Sequence, residues 1–241
     1  MTTVMMMAVA ALLGGLVQGV TGFGAGIVIM TLIPYIFPLT SAAAMTGMIS
    51  IVLTGSMAWK YREHMRPQLI ILPTVFYLIT STLAVNLATV MDMTVLKIIY
   101  ALFLIALSLY FLFVKGASVP DNTLSIILCG ALSGLCDGFF SAGGPFMVLL
   151  FMAATSSEDE YMANLQTVFF IVALYNTALR IFKGIITPAL VAPTLIGVAV
   201  MLVGLGLAGK VRTKVSADTV RLITYIVIGV SGVITLVTTV F

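Results

Sequence analysis

Two apolar stretches of the chain are longer than a membrane crossing needs, and both are interrupted by glycine near their middles. Residues 4–36 would form a straight helix about 50 Å long at 1.5 Å per residue. About 20 residues already cross the hydrocarbon core of a bilayer. The second long stretch is 123–153. Gly14, Gly15, Gly19, Gly22, Gly24 and Gly26 punctuate the first, and Gly130, Gly134, Gly138, Gly143 and Gly144, followed by Pro145, punctuate the second. In a helix interior glycine costs about 1 kcal/mol against alanine and proline about 3. Long apolar segments broken in this way predict broken helices or re-entrant hairpins.

Six further apolar segments have ordinary spanning length: 40–59, 68–90, 95–114, 162–182, 188–208 and 219–240. Hydrophobic residues make up 61% of the 241 and charged residues 8%, against about 25% charged in soluble domains. Water cannot be the solvent for most of such a surface, which excludes a soluble enzyme, a nucleic-acid binder and a disordered chain. Membrane lipid is the expected surroundings. The runs are continuous and do not alternate with period two, so the segments are expected to be helices and not barrel strands. The expected class is an all-α integral membrane protein. No basic residue precedes the apolar start at Val4, so the first segment is expected to stay in the mature protein. Cys129 and Cys136 read as small apolar packing residues, and the one histidine, His64, with no ligand-spaced cluster, leaves neither a metal site nor a cofactor expected.

The chain resembles itself. Gly15–Gly19 lies over Gly130–Gly134, Thr21–Gly26 parallels Asp137–Gly144, and the basic loop Lys60–Arg66 with Pro67 corresponds to Arg180–Lys183 with Pro188. Two homologous halves are expected, 1–116 and 123–241, joined by a linker at 117–122. Each has one broken or re-entrant segment and three spanning helices. If all eight segments cross, the best orientation puts six of the eleven basic residues inside and five outside. If the two long segments return to the side they enter, with the N-terminus outside, eight fall inside (Lys60, Arg62, Arg66, Lys115, Lys210, Arg212, Lys214 and Arg221) and three outside (Lys97, Arg180 and Lys183). The positive-inside rule favours the second arrangement, which makes the halves inverted repeats. Matched interrupted segments in two halves are the sequence pointer to a transporter's binding site.

At these motifs the sequence resembles the TauE/SafE sulfite exporter family. The first-half match is Gly19-Val20-Thr21-Gly22-Phe23-Gly24-Ala25-Gly26, with Pro34 beyond it. The second is Ser141-Ala142-Gly143-Gly144-Pro145, then Phe146–Leu150 and a helix carrying Asn176, Arg180 and Gly184. Phe140-Ser141-Ala142-Gly143-Gly144 stands where the family usually has Gly-Ile/Leu-Gly-Gly, and Asp137 precedes Gly138. The resemblance covers about residues 10–240. It implies a secondary transporter of small anions, such as sulfite, organosulfonates or related organic acids, in the cytoplasmic (inner) membrane, with no nucleic acid involved. A second copy of the chain is a candidate partner. The rival reading is an anion channel with a backbone-lined filter. An enzyme is not expected, since Asp137 has no evident acid–base partner.

An anion at mid-membrane calls for positive potential, which helix N-termini supply through free N–H groups. Gly22, Gly24, Gly26, Gly138, Gly143 and Gly144 are the expected backbone cradle, with Thr21 and Ser141 as hydroxyl donors. Gln18, Gln166 and Asn176 are expected either to line the path or to bond neighbouring helices, as is Asn86. Asp137 is the one acidic residue inside an apolar segment. It reads either as a proton carrier, making protons the coupling ion, or as a helix cap. Arg180 reads either as an anion attractor or as an interfacial anchor.

Overall fold

A computed structural model describes residues 2–114, 119–120 and 122–241. Lys115 and half of the expected linker at 117–122 (residues 117, 118 and 121) lie outside the described residues. Among the described residues there are ten α-helices and no strand. Seven stretches built on them are long and apolar enough to cross a membrane. The first long segment divides into α1 (Thr2–Thr21) and α2 (Ala25–Leu32). Then follow α3 (Leu39–Tyr61), α4 (Pro67–Val90) and α5 (Met93–Phe113). The second long segment divides into α6 (Thr123–Phe140) and α7 (Gly144–Ala154). The chain closes with α8 (Glu158–Phe182), α9 (Val191–Arg212) and α10 (Ala217–Val240).

Both long segments therefore break, at Gly22–Gly24 and at Ser141–Gly143. The turns need backbone conformations that side chains resist: φ is +85° at Gly22, +102° at Gly24 and +49° at Ser141. Glycine adopts such angles freely. Ser141 is the one non-glycine residue with positive φ among the described residues.

After each break the chain turns back. Gln18 Oε1 accepts from Ala25 N at 3.2 Å. One turn earlier, Gly14 sits 3.0 Å, measured from the place of a Cβ, from the Ile29 side chain. Position 14 thus meets 29 while 18 meets 25, so α2 runs opposite to α1. In the second half Gly143 backs onto the Ser133 carbonyl, and Cys129 shares a core with Met147, Val148 and Phe151, so α7 returns along α6.

Glycine also sets the helix pairs. Gly15 packs on the Met201 carbonyl, Gly19 on Ala208 and Gly204 on the Leu12 carbonyl, which places α1 against α9 in the same direction. Gly130 packs on Pro73, Gly134 on Tyr77 and Gly138 on Ser81 and Ala84, which places α6 against α4 in the same direction. A side chain at Gly19 would meet the Ala208 Cβ and one at the other glycines neighbouring backbone, so close approach is their reason. The other principal pairs are α3 with α8 and α5 with α10. Exposed apolar side chains such as Leu222, Ile226, Val230 and Val233 on α10 form the surface expected against lipid.

One end of the bundle is tied by polar contacts. Ser157 caps α8 by accepting from Glu160 N at 3.2 Å, and Glu160 accepts in return from Ser156 N at 3.2 Å. The reciprocal bonds resemble a capping box. They begin α8 at Glu158, four residues before the apolar run that sequence reading assigns to it. Arg66 reaches the same turn through Glu160 at 2.9 Å and through its own N–H to Asn164 Oδ1 at 2.9 Å. Arg212 reaches Glu158 at 3.1 Å. Loop 62–66, the α8 N-terminus and the α9 C-terminus thus share one end.

Candidate functional site

The two breaks meet. A Cβ at Gly26 would collide with the Ser141 carbonyl, so α2 crosses the second break there. Between the breaks lies a cavity of about 60 Å³, several times the ~10–15 Å³ that holds one water. Its walls come from both broken segments and from α3, α4 and α8. On α8, Phe169, Val172, Ala173, Asn176 and Arg180 face it at the three- and four-residue spacing of one helix face. On α3 the same spacing brings Gly47, Ser50 and Thr54.

Arg180 is 2% exposed. Nη1 donates to Ala43 O at 3.2 Å and to Ser141 Oγ at 3.0 Å. Nη2 donates to Asp137 O at 3.1 Å and Gly138 O at 3.0 Å. The guanidinium thus caps the carbonyl end of α6 from another helix, where a cation offsets the negative end of the helix dipole. Gly47 makes room, since a Cβ there would stand 3.2 Å from Arg180 Nη1. The interfacial-anchor reading of Arg180 is therefore wrong. It does not snorkel, because orphan carbonyls at the break bind it inside the bundle.

Asp137 also lines the cavity. Its Oδ2 accepts from Asn176 Nδ2 at 2.6 Å, and Asn176 Oδ1 accepts from the Ser81 hydroxyl at 3.0 Å. Among the described residues no carboxylate lies within 4.0 Å of the Arg180 guanidinium. Asp137 and Arg180 thus face one cavity without pairing directly. A buried charge needs hydrogen bonds to persist, and both groups have them.

Of the residues singled out by sequence, Gln18, Gly24, Gly26, Asp137, Ser141, Gly143, Gly144, Asn176 and Arg180 line this cavity. The others do not. Gly138 faces α4, and its carbonyl serves Arg180. Gln166, fully buried, donates to Gly22 O at 2.6 Å and accepts from Gln18 Nε2 at 3.2 Å, so it clasps the first break from behind. Thr21 and Gly22 line a second, larger cavity of about 690 Å³. The Thr21 hydroxyl donates within its own turn, to Val17 O and Phe23 O, each at 2.8 Å. The Ser141 hydroxyl donates to Ala43 O at 2.8 Å, so its proton is already committed. Asn86 bonds Thr82 O of its own helix at 2.8 Å. Sequence reading missed Tyr77, Gly47, Ser50, Thr54 and Phe169. A polar or small residue every third or fourth place along 47–54 was the available signal.

The register of the breaks also differs from the sequence alignment. Gly22 N donates to Gln18 O and Ser141 N to Asp137 O, each at 2.8 Å. Gln18 and Asp137 thus hold the same place in the two turns, and Gly15 and Gly19 correspond to Gly134 and Gly138. The alignment of Gly15–Gly19 with Gly130–Gly134 is one helical turn out of step.

Long apolar helices enclosing a small charged cavity at two broken segments define a multi-pass α-helical membrane protein. The chain belongs to the sulfite exporter TauE/SafE family, which it matches over residues 7–235, so it is a member of a family of membrane transporters. No curated protein and no solved structure matches it.

Proposed function

We propose that the protein is a secondary transporter of small oxyanions, such as sulfite and compact organosulfonates or carboxylates, in the cytoplasmic membrane. The single observation that carries this reading is the buried Arg180 guanidinium lining a cavity where the two breaks meet. The family supports an anion of the sulfite class. Gly24, Gly26, Gly143 and Gly144 lie where α2 and α7 begin, and helix N-termini there add positive potential to that of Arg180. In this reading the backbone at these glycines and Gln18 contact the substrate, while Ser141 and Asn176 orient the two charged groups.

Asp137 supplies the coupling. With its carboxylate ionised, its charge offsets that of Arg180, and the cavity holds an added anion weakly. With the carboxylate protonated, the cavity carries one uncompensated positive charge and holds the anion. Proton and anion then load and unload together.

The two halves work as inverted repeats that rock about the cavity. Three observations support this: each long segment turns back on itself, α1–α9 is matched by α6–α4, and α3–α8 and α5–α10 pair each half with its counterpart. Lys60, Arg66, Arg212 and Arg221 gather at one end, and the positive-inside rule makes that end cytoplasmic.

Thermal unfolding of the purified protein against sulfite, sulfonates, small carboxylates, sulfate and chloride, at fixed pH and ionic strength, tests the reading. A ligand at 100 times its Kd adds about 2.7 kcal/mol. A saturable shift with one oxyanion class is expected in the parent protein and is expected to vanish in Arg180→Gln. No shift with any anion would sink it.

A further inference from the structure

The larger cavity opens at the basic end of the bundle. Lys60 of α3, Arg212 of α9 and Arg221 of α10 converge on it from three helices. Among the described residues Glu158 is the one acidic residue in its wall, and it is held by Arg212 at 3.1 Å. Lys60 has no carboxylate within 4.0 Å among the described residues. Arg221 bonds Asp218 at a long 3.4 Å through Nη1, and its Nε is buried without a hydrogen-bond partner among the described residues. A buried guanidinium N–H without an acceptor normally has one supplied by water or a bound group. The volume, about 690 Å³, lies in the range of small-molecule sites.

This chamber adjoins the inner cavity. Gly22 forms part of its wall, and the Gly22 carbonyl holds Gln166, which holds Gln18. Gln18 in turn lines the inner cavity. The buried Gln18–Gln166 amide pair therefore links the walls of the two spaces.

We propose that the chamber is a second oxyanion-binding site, in which Lys60 and Arg221 collect a sulfonate, sulfite or phosphate-type group before it passes the Gln18–Gln166 clasp. The inference rests on the reading of the inner cavity as the transport site. A basic chamber with low-dielectric walls concentrates anions and speeds their arrival, whereas the inner cavity admits only a compact group. A free anion and the headgroup of an anionic lipid share this chemistry.

Gly209 lines the chamber with open space where a Cβ would stand, so Gly209→Cys provides a reporter there. Its rates of modification by an anionic and a cationic thiosulfonate reagent are compared in uncharged detergent, with the parent chain correcting for Cys129 and Cys136. The anionic-to-cationic rate ratio is expected to fall about tenfold when Lys60→Gln and Arg221→Gln are added. Methanesulfonate is expected to protect Gly209→Cys saturably, and to lose that protection in the combined variant. Equal ratios with and without the Lys60 and Arg221 changes overturn the proposal. Protection by phosphatidylglycerol but not by methanesulfonate overturns it as a substrate site and assigns the chamber to a lipid headgroup. Methanesulfonate protection together with unaltered uptake in Arg180→Gln leaves the chamber site standing and removes the inner-cavity reading instead.

Discussion

Asp137 stands one turn before the second break, where Gln18 stands before the first. Each main-chain carbonyl accepts from the residue four places on, Gly22 or Ser141, at 2.8 Å, and each side chain bonds an amide on α8, Gln166 at 3.2 Å or Asn176 at 2.6 Å. Two similar turns thus carry a neutral amide on one side of the cavity and a carboxylate on the other. The α8 helix serves both.

That asymmetry locates the proton step. Asp137→Asn keeps the shape of the side chain and its reach to Asn176 but cannot ionise. It is expected to abolish accumulation driven by a pH gradient and to spare exchange of internal for external substrate. Proteoliposome uptake after a pH jump, beside counterflow at equal pH, separates the two. Undiminished pH-driven accumulation would falsify the role.

Arg180 joins stability to binding. Removing it leaves the Asp137 and Gly138 carbonyls without their side-chain donor and Asp137 without a nearby opposite charge. Arg180→Gln is expected to lower stability by about 3 kcal/mol or more, seen in denaturant unfolding, and to eliminate anion-dependent stabilisation. Arg180→Lys keeps the charge but not the four-bond fork. It is expected to recover part of the anion response and little of the stability.

The breaks differ in their tolerance of a methyl group. At Gly26 a Cβ meets the Ser141 carbonyl, whereas at Gly144 its nearest neighbours are Phe23 at 3.6 Å and Phe169 at 3.7 Å. Gly26→Ala is expected to cost about 1–3 kcal/mol and to stop transport by separating the breaks. Gly144→Ala is expected to fold normally and to affect transport alone, through substrate approach. Equal unfolding midpoints for the two variants would contradict the crossing of the segments.

Orientation is open to labelling in cells. Lys214, in the turn between α9 and α10, belongs to the basic end, and Lys183 ends α8 at the other. A membrane-impermeant maleimide is expected to reach Lys183→Cys from outside intact cells, and Lys214→Cys only in inverted vesicles. The reverse pattern would invert the proposed topology.

Much of the fold was legible in the sequence because a bilayer imposes simple demands. Backbone groups in lipid must bond internally, so an apolar run of about 20 residues becomes a helix. Gly22, Gly24 and Gly143 announced the breaks because few other residues tolerate such turns or such close approach. The basic residues at 60–66 and 210–221 announced a polar end. The site was legible only as a set of candidates. Arg180 read also as an interfacial anchor, since nothing local tells whether a basic residue near a helix end turns outward or inward. Ser141, Gly138 and Ala43 decide that, from 39, 42 and 137 residues away. The equivalence of Gln18 and Asp137 was likewise hidden, because glycines recur at four-residue spacing in both segments and allow a register one turn out. Sequence determines where the chain can span and where it must break, through local solvation and backbone freedom. Which polar side chains meet at those breaks was decided only by tertiary packing, because orphan carbonyls and buried charges accept whatever partner the fold brings within reach.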